Sequence, residues 1–486
     1  MQIKRLLLTT GLCAALSLSV ACSEKEPDAG TDGTGGDTTK QDNTPPVKVE
    51  ASDWNKLSPE QLAKARSSAD KGWAWLDANY NQPVGDMMKG EIGTWGPKCD
   101  PAFSCFALLA GLKTGYLKPS DPRVAATLAD SIFKAQAAYD ESHPYWLIKS
   151  PAMGQSLYIT SVGVSLLSWL RDNAEGQLPK ALYDQLNERI DGAVNFLAAS
   201  QIGVPGQNSS AVDVPGAFDE LAAKNSADSS VYHGGWAYGV DNDKSRGDAR
   251  LANLSTSSFA LDALAAEGRL KAGDPILEAA KTFLKRTQND AEGTDMPRTT
   301  RISEAEGHPD TGEVVVKASS DSPHFGGAPY SPTESKAGAE PAGDGEVVLR
   351  SYGSMTYTML RGFLHVGLTD KDPAVKHALT WLTNNFSVER VPGFINTEEA
   401  PNNDQMALYY QYLQIARTFN MMDMETFRSA GGVEHQWRSE IVDALATRQK
   451  SDGSWANINP RWQEGAPILA TCYVMNAFAD IIPAKE

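Results

Sequence analysis

Four side chains could run acid–base chemistry if the fold brought them together: Arg350, Tyr352, Tyr357 and Asp404 supply a guanidinium, two phenols and a carboxyl. Such groups can hold and move a proton at a sugar or at an isoprenoid double bond, provided their surroundings tune their acidity. Around them, Asn253, Ser255, Tyr409 and Tyr410 open other helical stretches, and His233 and Trp236 bracket the turn in "HGGW". These six are the candidate ligand contacts, because tyrosines above an apolar shaft suit either a sugar face or a terpenoid skeleton. Each has a plainer structural role as well: a core aromatic with a satisfied hydroxyl or, for Asp404 after Asn402 and Asn403, a helix cap. The acidic stretch "GVDNDKSRGD" (Asp241, Asp243, Asp248) lacks the final bidentate carboxylate of a calcium loop and reads as solvated. His233, His308 and His324 fall in long connections, where exposure is expected of them. No Cys/His pair has zinc spacing, and no metal or cofactor is expected.

A series of helices must position these residues. From position 58 onward apolar residues recur at helical spacing, in two alternating kinds. Charged, amphipathic helices are expected at about 58–80, 121–139, 178–200, 274–288, 371–386 and 435–449, several opened by Ser-Pro or Asp-Pro as in "SPEQLAKA" and "DPAVKHALTWL". More apolar helices with few charges are expected at about 101–116, 153–170, 252–266, 351–367, 404–421 and 467–482. Six helices with a charged stripe alternating with six covered on nearly all sides is what two concentric rings require. The expected fold is all-α, an α/α toroid of about six helical hairpins. Inner-to-outer connections are short, whereas outer-to-inner connections reach 201–251 and 289–350, far beyond the usual ~4–6 residues. In such a barrel the long connections share one rim with the N-termini of the inner helices, whose unpaired N–H groups would favour a polar or anionic ligand group.

The segment "RQKSDGSWANINPRW" (448–462) places Gln449, Gly453 and Trp455 between an outer and an inner helix. Glycine permits the turn, glutamine can bond exposed carbonyls and the indole can cover the junction, so these residues read as a fold-holding staple. "GGW" at 234–236 occupies an equivalent slot. Together, "QKSDGSW", "HGGWAYG" and "SYGSMTYTMLRGFLHVGLTDKDPAVKHALTWL" resemble the QW-type repeats of squalene and hopene cyclases and of the wider terpenoid cyclase/protein prenyltransferase toroids. The resemblance spans residues 55 to 482, in the form found in exported bacterial proteins. It implies the toroid and, for a cyclase, an Asp-x-Asp-Asp acid. That motif is absent: "DNDK" and "DKDP" lack the last carboxylate, and each has a lysine that would hold the acid ionised. The Asp, Cys and His zinc set of the prenyltransferases is not evident around Cys472, so neither activity is carried over.

A net charge of −17 excludes a phosphate-backbone partner, and no nucleic acid is expected. Lys4 and Arg5 precede an apolar run from Leu6 to Val20, the layout of a secretory signal over 1–21. "SVAC" resembles a bacterial lipobox, with Ser19 where leucine is usual, and implies lipidation of Cys22. Residues 22–52 read as a lipidated disordered tether and 53–486 as the toroid domain. Cys99 and Cys105 are a disulfide candidate pair. The expectation is an exported lipoprotein of the outer membrane, periplasm or cell surface, anchored to the membrane by its lipid. It would bind a lipid, isoprenoid or glycan ligand at the long-connection rim; the rival is an extracytoplasmic enzyme, either a divergent terpenoid cyclase or a polysaccharide lyase or hydrolase.

Overall fold

Proline in the first turn fixes the backbone of a helix start, and an acceptor just before it bonds a donor the helix cannot satisfy. In the computed structural model this sets four starts. Ser58 caps α1 (Pro59–Ala78), Asp100 caps α2 (Pro101–Thr114), Asp121 caps α3 (Pro122–Thr127), and Asp274 caps α7 (Pro275–Thr287). α3 continues through a π-helical turn, Leu128–Ile132, into Phe133–Ala135. The other helices of more than one turn are α4 (Ser156–Asn173), α5 (Leu186–Ser200), α6 (Leu254–Glu267), α8 (Gly353–His365), α9 (Pro373–Asn384), α10 (Leu408–Met421), α11 (Trp437–Arg448) and α12 (Pro467–Ile481). The structure describes residues 57–80, 100–138, 145–149, 155–203, 205–214, 231–239, 251–290, 295–302 and 312–485. The signal segment, Cys22, the tether, Cys99, His308 and the acidic stretch around Asp243 lie outside them.

The protein is α-rich, and its helices alternate as the periodicity indicates. The even-numbered helices are buried along almost their whole length, whereas the odd-numbered ones bury one face. The even helices contact one another in the order α2, α4, α6, α8, α10, α12, and α12 packs back on α2. The odd helices lie against them, with α11 packed on α1.

The outer layer is joined by side-chain amides. Gln449 Nε2 donates to its own turn at Gly453 O (2.8 Å) and to Ser68 O of α1 (2.9 Å). Gln201 does the same to Gly234 O and Ile276 O of α7, and Gln288 to Gly326 O and Ala374 O of α9. Gln136 reaches Arg189 O of α5. Asn79 and Asn385 end the other two outer helices; one methylene shorter, they turn back on their own helices at Trp75 O and Trp381 O. Each turn glycine has positive φ, and a Cβ there would meet the next outer helix's backbone: Ala279 O at 1.8 Å from Gly234, His377 O at 2.4 Å from Gly326, Lys71 O at 2.5 Å from Gly453. Trp236 and Trp455 are fully buried, their indoles donating to Leu197 O and Leu445 O.

The all-α expectation needs correction. The connection between α7 and α8 carries strands β3 (Arg298–Ile302), β4 (Gly312–Val316), β5 (Ala339–Gly343) and β6 (Glu346–Leu349), in sheet order β3-β4-β6-β5. A short hairpin, β1 (Gln136–Ala138) with β2 (Trp146–Ile148), follows α3, and another, β7 (Phe427–Arg428) with β8 (Glu434–His435), precedes α11. The physical reason is local: "RTTRI", "EVVV" and "EVVL" are β-branched runs too short and too alternating for a helix. Cys105 is a fully buried, unbridged thiol on α2.

Gln449→Ala removes both amide bonds and leaves a buried carbonyl, so unfolding free energy should fall by about 1–3 kcal/mol in urea titrations. Gly453→Ala should cost at least as much, because the neighbouring helix backbone must move aside.

Candidate functional site

The long connections meet the N-termini of the inner helices with an offset of one hairpin. Leu157 N of α4 donates to Tyr238 O, Leu254 N of α6 to Tyr330 O, and Gly353 N of α8 to Pro392 O, each acceptor belonging to the next long connection. At α10 the acceptor is a side chain: Glu464 takes Tyr410 N at 2.7 Å and Tyr409 N at 3.2 Å, and also Asn457 Nδ2 at 2.7 Å. At each of these four helices one or two of the N–H groups expected to await an anionic ligand are therefore taken by the protein itself. Asp404 does not cap α10; it sits in the 3-10 turn Asn403–Gln405, its Oδ1 accepting from Gln405 Nε2 at 3.2 Å.

Glu464 was not singled out by its sequence context. Burial pushes its carboxyl up to about 7, against the bonds from Asn457 and the Tyr410 and Tyr409 amides that favour the ionised form. The chain around it is strained: Trp462 and Gln463 have φ of 52° and 67°, and Ala407, before α10, has 58°. Left-handed non-glycine residues thus gather where two connections cross α10. Trp462 stands at this surface, 38% exposed. Its ring lies 6.3 Å from Phe394, which lies 4.9 Å from buried Tyr352. Ile395 and Ile458 are exposed beside it, one from each of the same two connections. Asn459 Nδ2 ties those connections through Asn402 O at 2.9 Å.

Among the described residues, none of Arg350, Tyr352, Tyr357 and Asp404 is hydrogen-bonded, ion-paired or ring-stacked to another of the four. Arg350 pairs with Glu340 at 3.0 Å, and Glu340 also faces His324. Tyr357 is buried edge-on to Phe419, its hydroxyl without a hydrogen-bond partner among the described residues. Asn253 caps α6 by accepting from Thr256 N at 2.9 Å. His233 is buried with its ring against Gly203. Ser255 and Tyr410 do meet, hydroxyl to hydroxyl at 3.2 Å, and Tyr409 is buried above Glu464.

Inside the cycle of inner helices, aromatic rings from different helices meet one another. Phe106 of α2, Tyr158 of α4, Phe259 of α6, Tyr410 of α10 and Tyr473 of α12 pack mutually, with centroids 4.3 Å apart for Tyr158–Phe259 and 5.8 Å for Tyr410–Tyr473. Phe106 meets both Phe259 and Tyr473 edge-on.

Beyond these rings, in the C-terminal halves of the inner helices, lies a charged cluster that the sequence reading missed. Asp262 of α6 accepts from Arg361 Nε (2.9 Å) and Nη2 (3.0 Å), from His365 Nε2 (2.8 Å) and from Arg417 Nη1 (3.1 Å). Burial alone would raise the Asp262 carboxyl, but the Arg361 guanidinium, the His365 bond and Arg417 hold it below the usual carboxylate range. The available signal was one or two charges on each of four otherwise apolar helices: "ALDALA", "MLRGFLH", "IARTF" and "FADII".

No family model and no curated protein matches this chain. Among solved structures it is similar to the type II terpene cyclase MstE from Scytonema. A variant with the product merosterolic acid A aligns over 87% of this chain and 99% of that one, with TM-score 0.41 and 14% identity. A variant with the substrate geranylgeranyl dihydroxybenzoate gives TM-score 0.40 and 14% identity over 87% and 98%, and the apo enzyme 0.39 and 14% over 86% and 98%. So loose a superposition transfers no residue role.

The raised Glu464 carboxyl has a consequence for stability. Its contribution is fully present below the ordinary carboxyl range and is lost as pH rises through about 7. The loss is roughly 3 kcal/mol across the full shift. Between about pH 5 and pH 8 the unfolding free energy should therefore fall more steeply than in Glu464→Gln, where nothing titrates at that position. Parallel pH curves for the two proteins would exclude this assignment.

Proposed function

We propose that this protein is an exported, lipid-tethered α/α toroid that binds a glycan on its long-connection rim, beside α10. In this reading residues 1–21 are a signal, Cys22 carries the lipid, 22–52 are the leash and 53–486 form the toroid. The observation that carries the glycan reading is the Trp462 platform: an indole held open in a strained backbone, backed by Phe394 and Tyr352. A flat aromatic face with polar groups around it suits the C–H face of a sugar and its hydroxyls. Asn396, Asn402, Asn403 and Asn459 belong to the same two connections and make the surroundings polar, with Asn403 Nδ2 on Ile395 O, Asn459 Nδ2 on Asn402 O and Asn396 Oδ1 accepting from Asp404 N.

Two observations favour a glycan over an apolar chain. The packed rings of Phe106, Tyr158, Phe259, Tyr410 and Tyr473 occupy the middle of the inner helices, where a polyprenyl group would need depth. Glu389, Glu398 and Glu399 lie on the connection that carries Phe394, and the chain's net charge is −17, which opposes docking on an anionic bilayer. A binding role is favoured over catalysis because the nominated acid–base groups are engaged separately, Arg350 with Glu340 and Asp404 with Gln405.

Trp462→Ala tests the reading. Retention on insoluble polysaccharides and calorimetry with soluble oligosaccharides should show binding by the native protein and at least a tenfold loss in the variant, since a central aromatic contributes about 2 kcal/mol or more. Thermal stability should change little, because the side chain is exposed. Unchanged glycan affinity in the variant, or a native protein that binds phospholipid vesicles and no glycan, would refute the proposal.

A further inference from the structure

The rim beside α10 exposes aliphatic surface as well as the Trp462 indole. Six large hydrophobic side chains are exposed among the described residues, and three of them, Ile395, Ile458 and Trp462, belong to the two connections that cross there. Hydrogen bonds set them along one seam. Ile395 follows Phe394, whose ring lies 6.3 Å from that of Trp462, and its carbonyl accepts from Asn403 Nδ2 at 3.2 Å. Ile458 stands between Asn457, which donates to Gln405 O at 2.6 Å, and Asn459, which donates to Asn402 O at 2.9 Å, so it is fixed where one connection crosses the other. Scattered exposed isoleucines are ordinary, but two on one seam with an exposed indole mark a contact surface. Exposures of 53% and 68% leave more than half of each isoleucine for a partner to cover.

A cation shares the seam. The Arg461 guanidinium lies over the Trp462 ring, 5.3 Å from its centroid, and the residue is exposed. Its side chain makes no hydrogen bond or ion pair among the described residues, so its N–H donors are unspent. An arginine in this setting can serve a carboxylate or a neutral carbonyl. Charge decides between them. Glu398 and Glu399 are exposed on the connection that carries Ile395, paired with no described residue, and the whole chain stands at −17. A uronate or sulfated sugar would gain Arg461 and meet that excess, whereas a carbonyl takes the N–H and brings no charge.

We propose that the sugar bound on this seam is N-acetylated. The inference rests on the glycan reading and narrows it: the pyranose face lies on Trp462, the acetamide carbonyl accepts from Arg461, and the acetamide methyl packs on the isoleucines. An acetamide puts an apolar methyl and a neutral acceptor on one carbon, and the seam offers an apolar contact and an unspent donor around one ring. A hydroxyl in its place would leave Ile395 and Ile458 against water. A free ammonium would be repelled by Arg461 and has no methyl to offer.

Chitohexaose and cellohexaose share one backbone of linked pyranoses and differ in a single substituent, acetamide against hydroxyl, and the deacetylated chitohexaose carries an amine there. Calorimetry on the whole protein at about 0.15 M salt, where long-range attraction is screened, should rank chitohexaose at least about tenfold above each of the other two. The ratio of chitohexaose to cellohexaose affinity should fall at least about threefold in Ile458→Ser, which removes an aliphatic contact with the methyl. It should fall by a similar factor in Arg461→Gln, which shortens and uncharges the donor. Both side chains are exposed, so thermal unfolding of these variants should match the native protein. Equal binding of chitohexaose and cellohexaose, with both lost in Trp462→Ala, overturns the acetamide inference and leaves the glycan reading standing. So does tighter binding of the amine or of an oligogalacturonate, binding of other glycans without chitohexaose, or a ratio unchanged in both variants. A native protein that binds no glycan at all overturns both.

Discussion

The outer layer depends on a single type of bond, a glutamine amide at the end of one outer helix that donates to its own turn and to the backbone of the next. An amide has two N–H groups, and here both are used across a junction where two helices would otherwise present unpaired carbonyls to each other. The glycine carbonyl it binds comes from a left-handed turn lying against the next helix, which is why a Cβ cannot be accommodated. Gln449 is the decisive copy, because it ties α11 to α1 and so joins the last hairpin to the first. Where asparagine stands instead, at Asn79 and Asn385, the shorter side chain bonds only its own helix, and those junctions use other contacts, Arg123 of α3 on Asp77 of α1 and Arg448 of α11 on Glu389.

The same economy governs the inner helices. Among the described residues, four long connections leave their outer helices, form their turns and then lend an acceptor to the preceding inner helix, so these hairpins are interlocked rather than merely adjacent. At α10 the lent group is a carboxylate, which reaches three N–H donors from one residue and tolerates the left-handed step at Ala407. A structure held this way can carry long excursions without loosening, since each excursion is pinned at its base. That leaves the tips of the connections free to vary, and Trp462 is displayed on one of them.

Local signals made the helices legible. Apolar spacing and Asp-Pro starts act within one or two turns, and the alternation of charged and apolar helices follows from which faces are covered. The hairpin staple could be read only where it is compact, at Gln449, Gly453 and Trp455. Its other copies are stretched by insertions: Gln201 bonds a glycine 33 residues away and Gln288 one 38 residues away, distances at which no spacing rule survives. Asp404 looked like the cap of α10 because it is adjacent in sequence, yet the capping carboxylate comes from Glu464, 54 residues beyond Tyr410. The β3–β6 sheet was hidden for a related reason, since a long connection gives no partner strand by which to recognise a short β-branched run. Candidate residues chosen for chemical type alone, such as Tyr357 and Trp236, turn out to face packing layers.

Charges inside apolar helices obey a different rule. Asp262, Arg361, His365, Arg417 and Asp480 each sit on an inner helix whose other residues are small or hydrophobic, and any of them buried alone would cost several kcal/mol. Their tolerance requires that they meet, and Asp262 collects four donors from three side chains on two neighbouring helices. Replacing such a cluster by apolar groups is often neutral or stabilising, so stability alone does not account for keeping it. Arg417 follows the pattern in a looser form: its Nη1 bonds Asp262 and its Nε lies 3.9 Å from Asp480, so the charges of α6, α8, α10 and α12 neutralise one another across the helices.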